Sequence, residues 1–295
     1  MHEASSPRTV MVACDLDRTL IYSKNALWLE GADKDAPRLV VSEVYKGSPL
    51  SYMTGAAEEL LRTIMDWAIF VPVTTRTHAQ YQRVQLPKTN TQPVTEYAIV
   101  ANGGVILHQG EPDPQWQKHI AKQIAANCSP LEMIAAHLSK PEFQAWILNV
   151  HNATDLFIYA ITDRAAIPTE FLTELEILCQ GSGWSTSLQG RKLYCVPNPV
   201  NKADALAELA RRTNADTVLA AGDSLLDQEM LAQADLAFRP LHGELHDACW
   251  QAPNLQLTDV RGVLAGEQIL QRILAVLQSQ LGADRNAARR RADKL

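Results

Sequence analysis

Short apolar segments alternate with amphipathic ones in the first and last parts of the chain. Apolar runs of strand length, rich in β-branched residues, indicate strands buried on both faces. In between, apolar residues recur at helical spacing, as in the helix after Thr54, which is suited to cap it. Strands alternating with helices predict an α/β fold with a doubly wound parallel sheet. The predicted strands are 9–14, 68–73, 97–101 and 217–221, and the predicted helices are 55–67, 203–212 and 225–234.

The middle of the chain follows another order, with helices grouped together and strands following one another. This order is typical of an α+β unit inserted into the α/β domain. Its predicted helices are 115–128, 131–138 and 168–180, and its predicted strands are 146–150, 156–162, 184–188 and 193–197. We therefore expect a core at 1–104 and 197–281, an α+β cap at 105–196 and a frayed tail at 282–295. Within the first part of the core, a flap at about 23–53 is expected to contain a hairpin of residues 38–44 and 51–53.

Composition excludes several classes of protein. With 46% hydrophobic and 20% charged residues, the 295-residue chain is not typical of disordered or membrane proteins. Its net charge of −6 argues against a general nucleic-acid binder. No uncharged apolar stretch reaches the roughly 18 residues of a membrane span, and no secretory signal is visible. The five cysteines form no CxxC pair, which indicates reduced thiols and a cytoplasmic location. The oligomeric state stays open.

Polar side chains that could take part in a reaction follow the predicted strands. Asp15 and Asp17 come directly after the first strand, in the segment CDLDRTL. The carboxyl ends of parallel strands share one edge of the sheet, where such folds bind ligands. Of two neighbouring carboxylates, one can attack while the other transfers protons. Further candidates at this edge are Thr74, Lys202, Asp223 and Asp227. Each alone could be a helix-capping or a solvated side chain, but together they predict a catalytic site at this edge of the sheet.

This order of residues resembles the four motifs of the haloacid dehalogenase superfamily. The resemblance covers about residues 8–275, and it extends to the Cof-type and sucrose-phosphate-phosphatase-like branch. VTTRT at 73–77 is also similar to mannosyl-3-phosphoglycerate phosphatases. Two departures are Arg18, where a small residue is usual, and a long separation between Asp15 and Thr74. The segments that carry the branch resemblance are VTTR at 73–76, ANGG at 101–104, NKADAL at 201–206 and GDSLLD at 222–227.

The resemblance implies a magnesium-dependent phosphatase that hydrolyses a small soluble phosphomonoester, either a sugar phosphate or a phosphoglycerate-type metabolite. Asp15 would be the nucleophile, which forms an aspartyl-phosphate, and Asp17 would be the acid and base. Thr74 and Lys202 would hold the phosphoryl oxygens. The implied Mg²⁺ ligands are Asp15, Asp223 and the backbone carbonyl of Asp17, with Asp227 orienting the metal shell through water or Lys202. The expected substrate-binding residues in the core are Thr75, Arg76 and Asn102. In the cap we expect Arg191 to bind substrate, because a guanidinium can hold a carboxylate or a second phosphate in a bidentate fork.

Other interpretations stay open at this point. A phosphomannomutase-like phosphotransferase shares the motifs, and a non-catalytic binding module could use the same scaffold. The segment HGELH at 242–246 lacks the residue order of a zinc metalloprotease, and we expect it to form a surface loop or a helix start.

Overall fold

The computed structural model describes residues 9–88 and 95–292. The strands are β1 (Val10–Asp15), β2 (Tyr22–Ser23), β3 (Leu39–Tyr45), β4 (Ser48–Thr54), β5 (Ile69–Val73), β6 (Tyr97–Val100), β7 (Val105–His108), β8 (Glu111–Pro112), β9 (Ile147–Ala153), β10 (Phe157–Thr162), β11 (Trp184–Gln189), β12 (Lys192–Pro197), β13 (Thr217–Ala221), β14 (Leu236–Arg239) and β15 (Leu255–Leu257). The helices are α1 (Gly55–Trp67), α2 (His78–Tyr81), α3 (Pro114–Asn127), α4 (Leu131–Leu138), α5 (Thr169–Gln180), α6 (Lys202–Thr213), α7 (Gln228–Gln233), α8 (Glu244–Asp247) and α9 (Val263–Ala292).

The largest sheet has eight strands in the order β15-β14-β13-β1-β5-β6-β7-β8. Its strands from β15 to β6 pair in parallel, and β7 and β8 pair antiparallel at one edge. All six residues of β1 are buried. Because alternate residues of a strand face opposite sides, Val12 packs in the cluster of α1 and α9, whereas Met11 packs in the cluster of α6. The predicted doubly wound parallel sheet is confirmed.

The inserted sheet, which we define as β9 to β12, has four antiparallel strands in the order β11-β12-β10-β9. The chain enters this unit after β8 and leaves it before α6, and α3, α4 and α5 belong to it. An α+β unit therefore interrupts the α/β fold as predicted, and its element ends lie within three residues of the predicted ones. The expected start at 105 was too early, because β7 and β8 extend the main sheet.

The flap hairpin, which we define as β3 and β4, forms a three-stranded sheet with β2. It is joined by Lys46 and Gly47, both with positive φ, at 49° and 78°. Two consecutive residues of this conformation make the turn that matches the twist of a hairpin. The predicted hairpin exists, and β4 begins three residues earlier than expected.

The last helix, α9, continues to Ala292, through most of the stretch that was expected to be a frayed tail. Residues 293–295 of that stretch, and residues 1–8 of the first expected domain, lie outside the described residues. Within residues 9–88 and 95–292, no helix has both the length and the apolar character needed to cross a membrane.

Candidate active site

Three neighbouring strands of the main sheet bring the candidate residues together. Asp15 is the last residue of β1, which lies between β5 and β13. Thr74 directly follows β5, and Asp223 lies two residues after β13. Because these strands are parallel, their carboxyl ends meet at one edge of the sheet. Residues far apart in the chain therefore form one site.

A buried lysine joins two of the acids. Lys202, at the start of α6, donates hydrogen bonds of 2.7 Å to Oδ1 of Asp15 and 2.6 Å to Oδ1 of Asp227. Asp15, Asp223 and Asp227 each place a carboxylate oxygen within 4.8 Å of those of the other two. All four side chains are buried. A single ammonium group thus faces three carboxylates.

The electrostatics of this cluster leave room for more positive charge. Burial raises the pKa of Asp223 well above its ordinary value, and the charges of Asp15 and Asp227 raise it further. Burial also raises the pKa of Asp15, against the opposing charge of Lys202. Burial alone would lower the pKa of Lys202, but the two carboxylates that it contacts raise it, so Lys202 is charged. A hard divalent cation with oxygen ligands suits such a set of donors.

Asp227 is held by its surroundings on both oxygens. Its Oδ2 accepts hydrogen bonds from the backbone N–H of Asp223 at 3.1 Å, and from the N–H and the hydroxyl of Ser224 at 2.9 and 2.8 Å. The absence of a side chain at Gly222 permits this packing, because a Cβ there would lie 2.5 Å from the carboxyl carbon of Asp227. With Lys202 on its other oxygen, Asp227 is suited to orient its neighbours.

Asp17 lies beside the acid cluster but pairs with a different cation. Arg76 binds both of its carboxylate oxygens, with Nε to Oδ2 at 2.7 Å and Nη2 to Oδ1 at 2.8 Å. Partial burial favours a raised pKa for Asp17. The hydrogen bonds and the charge of Arg76 oppose this effect and, together with the smaller contributions of Lys192 and Lys202, lower the pKa below its ordinary value. The Asp17 side chain is still 49% exposed, so it can reach a bound molecule.

The remaining core candidates occupy two loops. The hydroxyl of Thr74 is buried and accepts a hydrogen bond from the N–H of Arg76 at 3.1 Å. Asn102 donates from Nδ2 to the carbonyl of Val200 at 2.9 Å, which fixes the segment before Lys202. Gly103 beside it has a φ of 96° and lies against the carbonyl of Asn201, where any side chain would collide. Asn102 therefore holds the backbone just before Lys202.

The inserted sheet presents an aromatic and cationic face towards the site. Tyr159 and Tyr194 are directly paired on β10 and β12, and their ring centroids are 5.8 Å apart. The ammonium of Lys192 lies 5.7 Å from the centroid of Tyr159. Burial raises the pKa of Tyr194, and a hydrogen bond with the Thr75 side chain opposes this rise. The face of β12 therefore lies over the ends of β1 and β5.

Arg191 lies next to Lys192 but makes different contacts. It is exposed, and its Nε donates to the carbonyl of Thr162 on the neighbouring strand at 3.4 Å. The described structure does not pair Arg191 with the acid cluster or with Asp17. Alternation along β12 indicates Lys192 and Tyr194 as the residues of the site face, a signal that we did not use in the sequence analysis.

Comparisons with known proteins identify the fold. No family model and no curated protein matches the chain. Among solved structures, the sucrose-phosphatase from Synechocystis, in complex with sucrose and phosphate, matches with a TM-score of 0.61 at 17% identity, over 92% of this chain and 98% of that one. A protein described as a HAD/COF-like hydrolase from Plasmodium vivax matches with a TM-score of 0.55 at 12% identity, over 92% and 98%. The chain has the haloacid dehalogenase fold.

Within this haloacid dehalogenase fold, the first motif loop contains an arginine that sequence reasoning left without a role. Arg18 has a φ of 65°, in the left-handed region that favours glycine. Its guanidinium lies 5.1 Å from the ring of Trp28, and its Nε is 3.7 Å from Oδ2 of Asp223. A cation from the protein therefore stands beside one of the three acids.

His242 supports the same loop. The segment 242–246 contains the start of α8, which is one of the two forms expected for it, but His242 itself is buried. It is 5% exposed, and its Nε2 lies 2.7 Å from the carbonyl oxygen of Arg18. Its Nδ1 accepts from the N–H of Gly262 at 3.2 Å, so Nε2 carries the proton and donates it. Burial, together with the charge of Arg18, lowers the pKa of His242 to about 4. The neutral imidazole therefore fixes the backbone of the motif loop.

Proposed function

We propose that this protein is a magnesium-dependent phosphatase that hydrolyses a small phosphomonoester through an aspartyl-phosphate intermediate on Asp15. The observation that carries the proposal is the buried cluster of Asp15, Asp223, Asp227 and Lys202 at the carboxyl edge of the sheet. Close to it, Asp17 has a side chain that is 49% exposed. The cluster supplies a nucleophile and a cation, and Asp17 supplies a second carboxylate, which is the set of groups that phosphoryl transfer to a carboxylate requires.

The donor set fits Mg²⁺. Asp15 and Asp223 would hold the ion together with the backbone carbonyl of Asp17, and Asp227, whose oxygens are already engaged, would orient this shell through Lys202. When bound, such an ion lowers the repulsion between a phosphate dianion and the Asp15 carboxylate. The net negative charge of three acids and one lysine is consistent with a divalent cation at this place.

The residues of the chain divide the reaction between them. Asp15 attacks phosphorus, so that an Asp15 O–P bond forms and the ester P–O bond breaks. The leaving oxygen keeps the electron pair of that bond and takes a proton from Asp17. In the free protein Arg76 favours the carboxylate form of Asp17, and the negative charge of a bound phosphate would favour its protonation in the substrate complex. Asp17, now a carboxylate, accepts a proton from water as the water oxygen attacks phosphorus and the Asp15 O–P bond breaks. Inorganic phosphate leaves, and both acids return to their starting states.

Lys202 and Thr74 would stabilise the phosphoryl oxygens during both steps. Both are buried, Thr74 after β5 and Lys202 at the start of α6, so their interactions with negative charge are stronger than they would be in water. Since Lys202 is already held by Asp15 and Asp227, it needs little reorganisation to meet the charge that develops.

The substrate we propose is a sugar phosphate or a phosphoglycerate-type metabolite. The core residues account for one phosphoryl group, and the inserted sheet would act as a cap that recognises the remainder. Its two tyrosines and Lys192 suit a polar ring or a second anionic group. The likeness to a sucrose-phosphatase solved with sucrose and phosphate supports this choice. We propose a cytoplasmic location, on the pattern of five cysteines without a disulfide.

A screen for phosphate release tests the proposal. Sugar phosphates, phosphoglycerate esters, nucleotides and p-nitrophenyl phosphate are incubated with the protein and Mg²⁺, with the Asp15→Asn variant as control. Phosphate release from at least one ester by the wild-type protein, without release by the Asp15→Asn variant, supports the proposal. No release from any ester, or equal release by the variant, contradicts it. Formation of an isomeric sugar phosphate that depends on a bisphosphate would identify a mutase instead.

A further inference from the structure

A glutamate of the flap hairpin is completely buried. Glu43 on β3 has no exposed surface, although the next two residues of the same strand, Val44 and Tyr45, are exposed. The register between β3 and β4 shifts on both sides of Glu43, and Ser42 and Glu43 are buried in succession. Such a bulge turns a side chain to the face opposite to the one that alternation would give it. The flap therefore directs a carboxylate inwards.

Three donors satisfy this buried carboxylate. Nη1 of Arg76 lies 2.8 Å from Oε2 of Glu43, and Nε of Arg83 donates to Oε1 at 3.0 Å. The hydroxyl of Ser51, on β4, donates to Oε2 at 3.2 Å. A buried carboxylate is tolerated when it is paired and hydrogen-bonded in this way. Glu43 thus has a fixed position between two arginines.

Arg76 extends this fixed position to Asp17. Its Nε and Nη2 hold the two oxygens of Asp17, while its remaining Nη1 holds Glu43. The guanidinium is planar and rigid, so fixing one edge fixes the direction of the other. Its side chain is 11% exposed, and it bridges the exposed Asp17 and the buried Glu43. Negative and positive charges alternate along the row from Asp17 through Arg76 and Glu43 to Arg83.

We propose that Glu43 is a positioning residue for the acid and base of the reaction. Through Arg76, it sets the direction of the Asp17 carboxyl group towards the leaving oxygen of the ester. This inference rests on the proposed phosphatase function. It also gives a function to the long segment between Asp15 and Thr74, because the flap hairpin supplies the buried end of the row. Glu43 itself does not touch substrate.

The test compares esters whose leaving groups need a proton to different extents. p-Nitrophenolate departs without protonation, whereas phenolate and alkoxide need a proton from Asp17. The value of kcat/KM reports the first phosphoryl transfer. Glu43→Gln is expected to lower kcat/KM by about tenfold or more for phenyl phosphate and glycerol 2-phosphate. This would be a part of the roughly 10²–10⁴-fold rate acceleration that a general acid supplies. For p-nitrophenyl phosphate we expect a loss below about threefold. Equal losses on all three esters would overturn the inference.

A second variant tests whether the effect passes through Arg76. In an Arg76→Gln background, adding Glu43→Gln is expected to change kcat/KM for phenyl phosphate by less than about twofold, because the connection is already broken. Fully additive losses would show that Glu43 does not act through Arg76. Glu58→Gln is the matched control, because Glu58 pairs with the exposed Arg62 at 3.5 Å and has no contact with Asp17. We expect wild-type kinetics from it.

Two further measurements separate the possible failures. Thermal unfolding shows whether Glu43→Gln is folded, and if it is not, Glu43→Asp replaces it, since the shorter acid keeps the charge but loses its reach. A crystal structure of the folded variant is expected to show that Arg76 no longer holds both oxygens of Asp17. If both hydrogen bonds persist, the inference is wrong. This readout needs no activity, so an inactive wild-type protein would count against the proposed function alone.

Discussion

Lys202 donates a hydrogen bond of 2.7 Å to Asp15, although 187 residues separate them in the chain. Both are buried, and the same ammonium group also holds Asp227 at 2.6 Å. Removing one partner from a buried, hydrogen-bonded charge cluster leaves the others without compensation. The effect of a substitution on folding and activity therefore depends on whether it leaves a buried charge without an opposite charge beside it.

Asp15→Asn tests the nucleophile without emptying the site. The carboxamide oxygen can still accept a hydrogen bond from Lys202, and Asp227 still balances the lysine charge. We expect phosphate release to fall by about four orders of magnitude or more, because covalent catalysis is lost. Thermal unfolding is expected to show a folded protein. Turnover close to that of the wild type would exclude Asp15 as the nucleophile.

Asp223→Asn tests the metal site by binding as well as by activity. In the wild-type protein, added Mg²⁺ is expected to raise the midpoint of thermal unfolding, because a ligand that binds only the folded state stabilises it. EDTA is expected to abolish phosphate release, Mg²⁺ to restore it, and Zn²⁺ to restore it poorly. The variant is expected to need at least about tenfold more Mg²⁺ for the same rise in the midpoint of thermal unfolding. An unchanged response to Mg²⁺ in the variant would argue against Asp223 as a ligand.

Arg18→Gly is expected to increase the affinity for Mg²⁺. The Arg18 Nε lies 3.7 Å from Oδ2 of Asp223, so its charge would compete with a cation bound there. Its removal should lower the half-saturating Mg²⁺ concentration by roughly threefold to tenfold, in line with a partly solvated charge at this distance. Glycine also accepts the φ of 65° without the cost of roughly 1–2 kcal/mol that a side chain incurs.

Arg18→Lys is the control for this experiment, since lysine keeps a positive charge at the same backbone position. Titration of phosphate release against Mg²⁺ measures the half-saturating concentration of all three proteins. A glycine variant that needs as much Mg²⁺ as the wild type would show that Arg18 does not compete with the ion.

The main features of the fold and the acid cluster were predictable from local pattern. Strand-length apolar runs identified β1, β5, β6 and β13, and parallel pairing then required the residues after them to meet. Glu43 was not predictable, because a polar residue in a hairpin ordinarily faces solvent and the bulge that turns it inwards has no local signature. His242 was missed because its burial depends on Trp28 and Gly262, which are distant in sequence.

His242 is expected to make the protein less stable as the pH falls from about 6.5 to about 4. Its pKa is about 4 in the folded protein and about 6.5 in the unfolded chain, so the unfolded chain takes up the proton first in this range. Stability from the neutral histidine is complete above pH 6.5 and decreases towards pH 4, by on the order of 2–3 kcal/mol. Urea denaturation at several pH values measures it. In His242→Gln this contribution should be absent, so a wild-type slope in the variant would contradict the assignment.

Lys192→Ala is expected to weaken binding of the preferred substrate without impairing the chemistry. The Lys192 ammonium faces Tyr159 and acts on Asp17, so it can reach the part of a substrate beyond the phosphoryl group. The sequence alone favoured Arg191, whose guanidinium instead lies near the carbonyl of Thr162. We expect Lys192→Ala to raise KM for the best ester of the screen by roughly tenfold to a hundredfold, or about 1.4–2.8 kcal/mol. Arg191→Ala, the matched control at the neighbouring residue, should raise it by less than about threefold.

Both variants are also measured on p-nitrophenyl phosphate, whose leaving group offers nothing for the ammonium to bind. For this ester we expect both to keep kcat/KM within about threefold of the wild type, because the acids and Lys202 are unchanged. A loss of equal size on both esters would place Lys192 with the chemistry instead of with recognition. A larger KM effect from Arg191→Ala than from Lys192→Ala would return substrate recognition to the guanidinium that the sequence favoured, and would mean that the turn moves when substrate binds.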